Sequence, residues 1–254
     1  MHNDFGSIET SEEAGVRYLH FGSEWVQGAM RIRKPNALEL DYTRDMMACL
    51  LLKQESAWPQ RVLQIGLGAA SLTKFFYHYL PLSKIQIVEI NPEVVPVARH
   101  HFYLPSDPNR VRVEIADGVE YMQRRGRHFD LIMVDGFDAD ARPGKLDSPG
   151  FYESCRNRLT NDGLLAVNLL GRSRGHQASV KRISDAFEKR AVAFPSNDDG
   201  NVIAFAANGR AIELPVTDLR KKANAVKDAT GLNLLSVVSR LENSGLCKGK
   251  KFIL

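Results

Sequence analysis

From Arg61 to Leu170 the chain alternates short β-branched or apolar runs with stretches of helical character, and this alternation restricts the fold more than any other feature. The runs are "RVLQI" (61–65), "KIQIVEI" (84–90), "RVRVEI" (110–115), "FDLIMVD" (129–135) and "GLLAVNLL" (163–170). Asn91-Pro92 and Ser148-Pro149 each read as a helix start, with a side-chain acceptor at the cap and proline where a missing N–H does no harm. The pattern predicts an α/β fold, a mostly parallel sheet with helices on both faces. "NVIAFAA" (201–207) is expected to add a last strand, antiparallel to one near "RAVAF" (190–194).

The flanks read differently. Residues 15–41 lack helical periodicity and carry "VRYLHFG" and "WVQGAMRIR", with a turn near Lys34-Pro35-Asn36, so they predict a small N-terminal β-element. "DYTRDMMACLLL" follows as a lead-in helix. Near the other end, Thr217 is expected to cap a helix through "DLRKKANAVKDAT", stopped at Gly231, and a second helix is expected in "LNLLSVVSRLE". Leu219, Ala223 and Val226, then Leu234, Leu235, Val238 and Leu241, give this tail an apolar face that predicts packing on its own domain. "KGKKF" is expected to be solvated. The resulting division is 1–52, 53–210 and 211–254.

Composition excludes several function classes. No apolar run approaches the roughly 20 residues that span a bilayer, and "MMACLLL" is flanked by Arg44, Asp45 and Lys53, so no membrane partner is expected. The polar, acidic start "MHNDFGSIETSEE" is unlike a secretion signal. Three cysteines without a C-x-x-C pair predict neither a zinc site nor a disulfide framework, and suit the cytoplasm. A net charge of +4 from scattered Lys and Arg does not call for nucleic acid. His100 and His101 are adjacent on a helix, so their rings diverge and no metal is expected. Met46-Met47 reads as core, "RRGRH" (124–128) as a solvated turn, and "GRSRGH" (171–176) as a surface loop.

The chemistry concentrates at the ends of the parallel strands, where ligands of such sheets bind. The first strand runs into "GLGAAS", in which Gly66 and Gly68 permit a tight turn and close ligand approach, and a helix N-terminus follows. The second ends in Glu89, placed to accept from both ribose hydroxyls of a nucleoside. The third leads to Asp117-Gly118, where a carboxylate can accept from an adenine amino group. The fourth ends at Asp135 in "IMVDGFDAD", with Asp138 and Asp140 close behind. Each acid alone is ordinary turn chemistry; the ordered set predicts a nucleoside site. Ser71 stands where a dinucleotide fingerprint wants glycine, and clustered acids repel a pyrophosphate. They suit a sulfonium nucleoside, S-adenosylmethionine or its decarboxylated form.

From about Trp25 to Ala207 the chain resembles the spermidine synthases, or polyamine aminopropyltransferases. The resemblance rests on "VLQIGLGAAS", "IVEINPEVVPVAR", "VRVEIADGVEYM", "FDLIMVDGFDAD" and "KLDSPGFYESCRNRLTNDGLLAVN". Asp135 and Asp138 occupy the acid positions of the family's D-S-S/T-D-P. Leu146, Ser148, Phe151 and Tyr152 match its L-f-s-x-x-F-Y, Gln27 matches the Gln of D-G-x-x-Q, and Tyr42 matches the Tyr of Y-[HQ]-E. The resemblance implies a Rossmann-like, class I methyltransferase-type fold. It also implies an aminopropyl transfer from decarboxylated S-adenosylmethionine, a co-substrate and not a tightly bound cofactor, to putrescine or another amine, releasing methylthioadenosine.

The implied site is Asp135 as base with Asp138 assisting, both also holding the amine together with Tyr42. Gln27, Gly66, Gly68, Glu89, Asp117 and Gly118 would hold the nucleoside. A homodimer is implied by the same likeness. The sequence departs from the family at Ala69, where the glycine motif carries Asp, at Thr43-Arg44, at Gly136-Phe137 and Ala139, and at "AFPSNDDGNV", where Asp198 or Asp199 is a candidate replacement on the acceptor side. The alternatives are a non-catalytic nucleoside-binding homologue and an S-adenosylmethionine-dependent methyltransferase, the latter disfavoured by Gln64 where an acid is usual.

Overall fold

A computed structural model describes residues 6–23, 25–55, 57–138, 142–171, 175–197 and 200–254. Three antiparallel strands come first, β1 (Ile8–Glu13), β2 (Val16–Phe21) and β3 (Gly28–Arg31). Helix α1 (Asp41–Met46) continues as a 3₁₀ turn over Met47–Leu52, whose six residues are all buried. The alternating segment then gives β4 (Arg61–Ile65), α2 (Ser71–Tyr79), β5 (Lys84–Glu89), α3 (Val94–Phe102), β6 (Val111–Ile115), α4 (Gly118–Gln123) and β7 (Phe129–Val134). Next come α5 (Pro149–Arg158), β8 (Leu159–Leu170), α6 (Gly175–Ala186), β9 (Ala191–Pro195) and β10 (Asn201–Ala207).

The central sheet has seven strands in the order β6-β5-β4-β7-β8-β10-β9. The first five are parallel, and β10 and β9 close the edge antiparallel. The chain runs outward from β4 through β5 and β6, then returns to β4's other side as β7. That reversal opens a crevice between β4 and β7, the usual ligand position of such sheets. Both faces of the sheet are covered, as strand β7 illustrates. Leu131 and Met133 join one apolar cluster while Ile132 and Val134 join the other, the period-two alternation of a strand buried on both sides.

The tail follows as β11 (Glu213–Pro215), α7 (Val216–Thr230), α8 (Leu235–Asn243), β12 (Cys247–Lys248) and β13 (Lys251–Ile253). Leu219, Ala223, Val226, Leu234, Val238 and Leu241 are buried in the same cluster as Val62 and Ile85 of the sheet, and Leu235 packs against it, so the tail's apolar face packs on its own domain. "KGKKF" is not solvated throughout. It forms a hairpin onto β11, because Phe252 is fully buried and its backbone pairs with Leu214. Thr217 does not cap α7 either; the helix begins at Val216 after Pro215, and Gly231 ends it in the left-handed conformation at φ 76°. Ser148 does cap α5, accepting from the Phe151 amide at 3.3 Å with Pro149 at the first helical position. Asn91 instead accepts from Glu93 N at 3.0 Å in a turn just ahead of α3. Strand β1 was not anticipated: "IETSEE" is exposed and polar, held mainly by its ladder to β2.

Candidate active site

The nine residues expected from the sequence line one cavity of about 810 Å³ at the carboxyl ends of the parallel strands. They are Gln27, Tyr42, Gly66, Gly68, Glu89, Asp117, Gly118, Asp135 and Asp138. Gly66 sits where the chain after β4 approaches the chain after β7 most tightly among the glycines of the cavity. Its φ is +90°, and a Cβ there would sit 2.1 Å from the Asp135 carbonyl oxygen, so only glycine fits between β4 and β7. This approach lets Asp135 N donate to Ile65 O at 2.9 Å, which fixes the Asp135 backbone at the floor.

Glu89 is 6% exposed and braces the glycine turn, accepting from Leu67 N at 2.8 Å and Asn91 N at 2.9 Å, one bond to each oxygen. Burial raises its carboxyl pKa, and those amides pull it back down. Each oxygen keeps a lone pair for a ribose hydroxyl. Asp117 caps α4, with Oδ1 accepting from Val119 N at 2.7 Å and Glu120 N at 3.1 Å; Oδ2 accepts nothing among the described residues. Gly118 lies under Ile65 and Leu146, where a Cβ would come within 2.8 Å and 3.1 Å of their side chains. These two side chains, with Ile90 and Val119, give this end of the cavity an apolar slot of the kind a purine fills.

At the other end Asp135 receives Tyr42 OH on Oδ2 at 3.2 Å and Asn168 Nδ2 on Oδ1 at 2.9 Å. Asn201 Nδ2 in turn donates to Asn168 Oδ1 at 2.7 Å. The Asp135 carboxylate faces the cavity but is otherwise enclosed by protein, and this desolvation raises its pKa against the two donors, which lower it. A raised carboxylate pKa suits a group that accepts a proton from an amine. Asn168 and Asn201 were not among the expected site residues. The only signal for Asn168 was an amide inside the otherwise apolar "LLAVNLL".

Asp138 is exposed at the rim. Its Oδ1 accepts from Arg142 N at 2.8 Å, its own N donates to Arg142 O at 3.0 Å, and its carbonyl takes Gln27 Nε2 at 3.5 Å. The loop it sits on is anchored further along by Asp147, which accepts from Tyr152 OH at 2.9 Å, Ser179 Oγ at 2.7 Å and Arg182 Nη1 at 3.0 Å. Leu146 is thereby held over the apolar slot. Asp140, Ala139, Asp198 and Asp199 lie outside the described residues, as do Arg172, Ser173 and Arg174 of "GRSRGH".

The departures from the family pattern have plain structural places. Ala69 does not line the cavity; it packs with Leu19, Met30 and Phe102, and its methyl would lie 2.6 Å from a Cβ at Gly28. Gln64 is buried, donating to Gly66 O at 2.7 Å and accepting from Thr73 Oγ1 at 2.7 Å. Arg44 is turned to Asp41 at 2.5 Å and to the carbonyls of Leu38 and Glu39. Among the described residues no cluster of His, Cys, Asp or Glu could hold a metal ion, and no helix is long and apolar enough to cross a membrane.

Such a sheet, with a crevice at its strand ends leading to an enclosed carboxylate, defines the Rossmann-like, methyltransferase-type fold. The comparisons with known proteins give the family. The spermine/spermidine synthase domain matches residues 39–193. A polyamine aminopropyltransferase of Neisseria meningitidis is 35% identical over 98% of this chain and 94% of its own length. The chain belongs to the spermine/spermidine synthase family and is a transferase of the polyamine aminopropyltransferase kind. The fold agrees with a probable spermidine synthase from Corynebacterium glutamicum (TM-score 0.73, 21% identity, 89% of this chain and 85% of that one). It also agrees with human methyltransferase-like protein 13 in complex with SAH (TM-score 0.68, 24% identity, 76% of this chain and 93% of that one).

Proposed function

We propose that the protein transfers an aminopropyl group from decarboxylated S-adenosylmethionine to a small amine such as putrescine or another polyamine. Glu89 holds the ribose, Asp117 the adenine amino group, and Gln27, Gly66, Gly68 and Gly118 shape the donor's bed. The acceptor amine has an intrinsic pKa of roughly 10 and arrives protonated. Asp135 binds this ammonium, takes its proton, and frees the nitrogen lone pair to attack the methylene carbon beside the sulfonium. The carbon–nitrogen bond forms as the carbon–sulfur bond breaks, and sulfur leaves with the electron pair as neutral methylthioadenosine, so no acid is needed on that side. Tyr42 keeps the Asp135 carboxylate turned toward the acceptor, and Asp138 adds negative charge at the rim. Much of the acceleration then comes from in-line positioning.

The observation that carries this reading is Asp135, enclosed and doubly hydrogen-bonded, in one cavity with Glu89 and Asp117. A second reading, methyl transfer from S-adenosylmethionine, is favoured only by Ala69, which leaves no carboxylate at that position for the donor's ammonium. A cytoplasmic homodimer goes with the first reading and suits three free cysteines, two of them buried; light scattering tests the dimer. Calorimetric titration with methylthioadenosine and the two donors tests the function. The aminopropyl reading requires tighter binding of the decarboxylated donor. Preference for S-adenosylmethionine would establish the methyl-transfer reading, and binding of none would leave the protein without a nucleoside site.

A further inference from the structure

At the amino ends of β4, β5 and β6, on the edge of the sheet away from the substrate cavity, a second cavity of about 630 Å³ is bounded by the loop after α4. Eight lysines and arginines line it against one carboxylate, Glu114. That excess is larger than the chain's whole net charge of +4, so the rest of the molecule is net acidic. The protein is thus polarised, with acids around the substrate cavity and cations at the opposite end of the strands.

The floor of this groove is a built feature. Arg158 is 8% exposed and lies over the rings of Tyr121 and Phe129, 5.4 Å from each centroid. Its Nε donates to Arg127 O at 3.0 Å, and its Nη1 donates to Arg124 O at 2.8 Å and Tyr121 O at 3.3 Å. Its side chain also hydrogen-bonds the Tyr121 side chain. Nη2 passes directly over Gly126, where a Cβ would meet it at 2.9 Å. The guanidinium is therefore fixed at the floor of the groove. Capping the carbonyls of α4 explains why Arg158 is buried, but not why Lys84, Arg125 and Arg127 gather on the rim. The side chains of these three are exposed and make no hydrogen bond or ion pair among the described residues.

Other cations of the groove are committed. Arg110 closes the carbonyl end of α2, donating to Tyr77 O at 3.0 Å and Leu80 O at 2.9 Å, and Arg124 pairs with Glu114 at 2.6 Å. A fixed guanidinium ringed by uncommitted cations suits phosphate oxygens, which accept from several donors at once. The cavity's volume suits a small molecule. The Tyr121 ring is already engaged by Arg158 and Arg124, 5.4 Å and 5.9 Å from its centroid, unlike the open aromatic platforms that hold nucleic acid strands.

We propose that this groove is an anion site for a small molecule bearing two or more clustered phosphates. Arg158 is the fixed floor contact, and Lys84, Arg125 and Arg127 are the rim. The test is calorimetric titration of the full chain with inorganic tripolyphosphate, with ATP as a parallel arm that separates a free polyphosphate from a phosphate ester. The expected result is saturable one-to-one binding by at least one of them, weakened by added salt. It should fall by at least about tenfold when Arg125→Glu and Arg127→Glu are combined. The ligand-free melting temperature of that variant should stay unchanged. Absence of saturable binding, or binding indifferent to the two substitutions, overturns the proposal. So does a ten-residue oligouridine that binds more tightly than tripolyphosphate, since that would make the groove a nucleic acid surface.

Discussion

Asn168 Nδ2 donates to Asp135 Oδ1 at 2.9 Å from the middle of a strand whose neighbours, Val167 and Leu169, are buried and apolar. Asn201 holds that amide from the adjacent strand at 2.7 Å, so two strands fix the orientation of one carboxylate. The bond favours the charged form of Asp135 and works against the desolvation that raises its pKa. Asn168→Ala should therefore raise that pKa further. The acidic limb of kcat/KM moves to higher pH, and kcat/KM at neutral pH falls by about ten- to hundredfold, while donor binding is kept. A pH–rate profile of the variant checks this; a fall in rate with no shift of the limb would make the role one of packing alone.

Asp135→Asn keeps the shape and both hydrogen-bonding neighbours but cannot take a proton. Turnover should fall by about 10²–10⁴-fold, with nucleoside binding and folding nearly intact. Single-turnover assays with calorimetry of methylthioadenosine separate the two. Unchanged turnover would remove Asp135 from the chemistry.

Much of the candidate site was legible in the sequence for a simple reason. In a parallel sheet, strand ends converge on one edge, so Gly66, Glu89, Asp117 and Asp135 had to meet once the alternation was read correctly. Asn168 was hidden because a lone amide in an apolar strand carries no periodic signal, and only the register between β7 and β8 reveals its partner. Asp138 was visible as an acid, but its bond to the Arg142 amide depends on loop closure that spacing does not encode. β1 and the terminal hairpin were missed because their residues are mostly exposed and polar. Their order comes from ladder bonds and, in the hairpin, from the single buried ring of Phe252.

Lys74 is a core lysine, 2% exposed, whose Nζ has no hydrogen-bond partner among the described residues; burial lowers its pKa to about 7. The unfolded chain holds this proton up to roughly pH 10.4, and the folded one only below about 7. The cost to stability is therefore full below the folded value and fades as pH rises toward the unfolded one. Lys74→Met should stabilise the fold at pH 6 by on the order of 3–5 kcal/mol, with the gain shrinking steadily toward pH 10. Denaturant melts across that range check it, and a gain independent of pH would contradict it.

Asp45 ties three distant segments together. It accepts from Ser196 Oγ at 2.7 Å and from Asn197 N at 3.3 Å, and it pairs with Arg240 of α8. Arg240→Ala leaves this buried carboxylate without its cation and should cost about 3 kcal/mol. Adding Asp45→Asn should recover part of the loss. Urea melts of the single and double variants decide it, and a double variant no more stable than Arg240→Ala would mean that the pair is not coupled.

The most direct measurement is chromatographic detection of methylthioadenosine from decarboxylated S-adenosylmethionine, with and without a panel of di- and polyamines. The account predicts release that requires both donor and amine, together with an aminopropylated amine in equal amount. Failure of any amine to release methylthioadenosine, from a protein that still binds the donor, would contradict it.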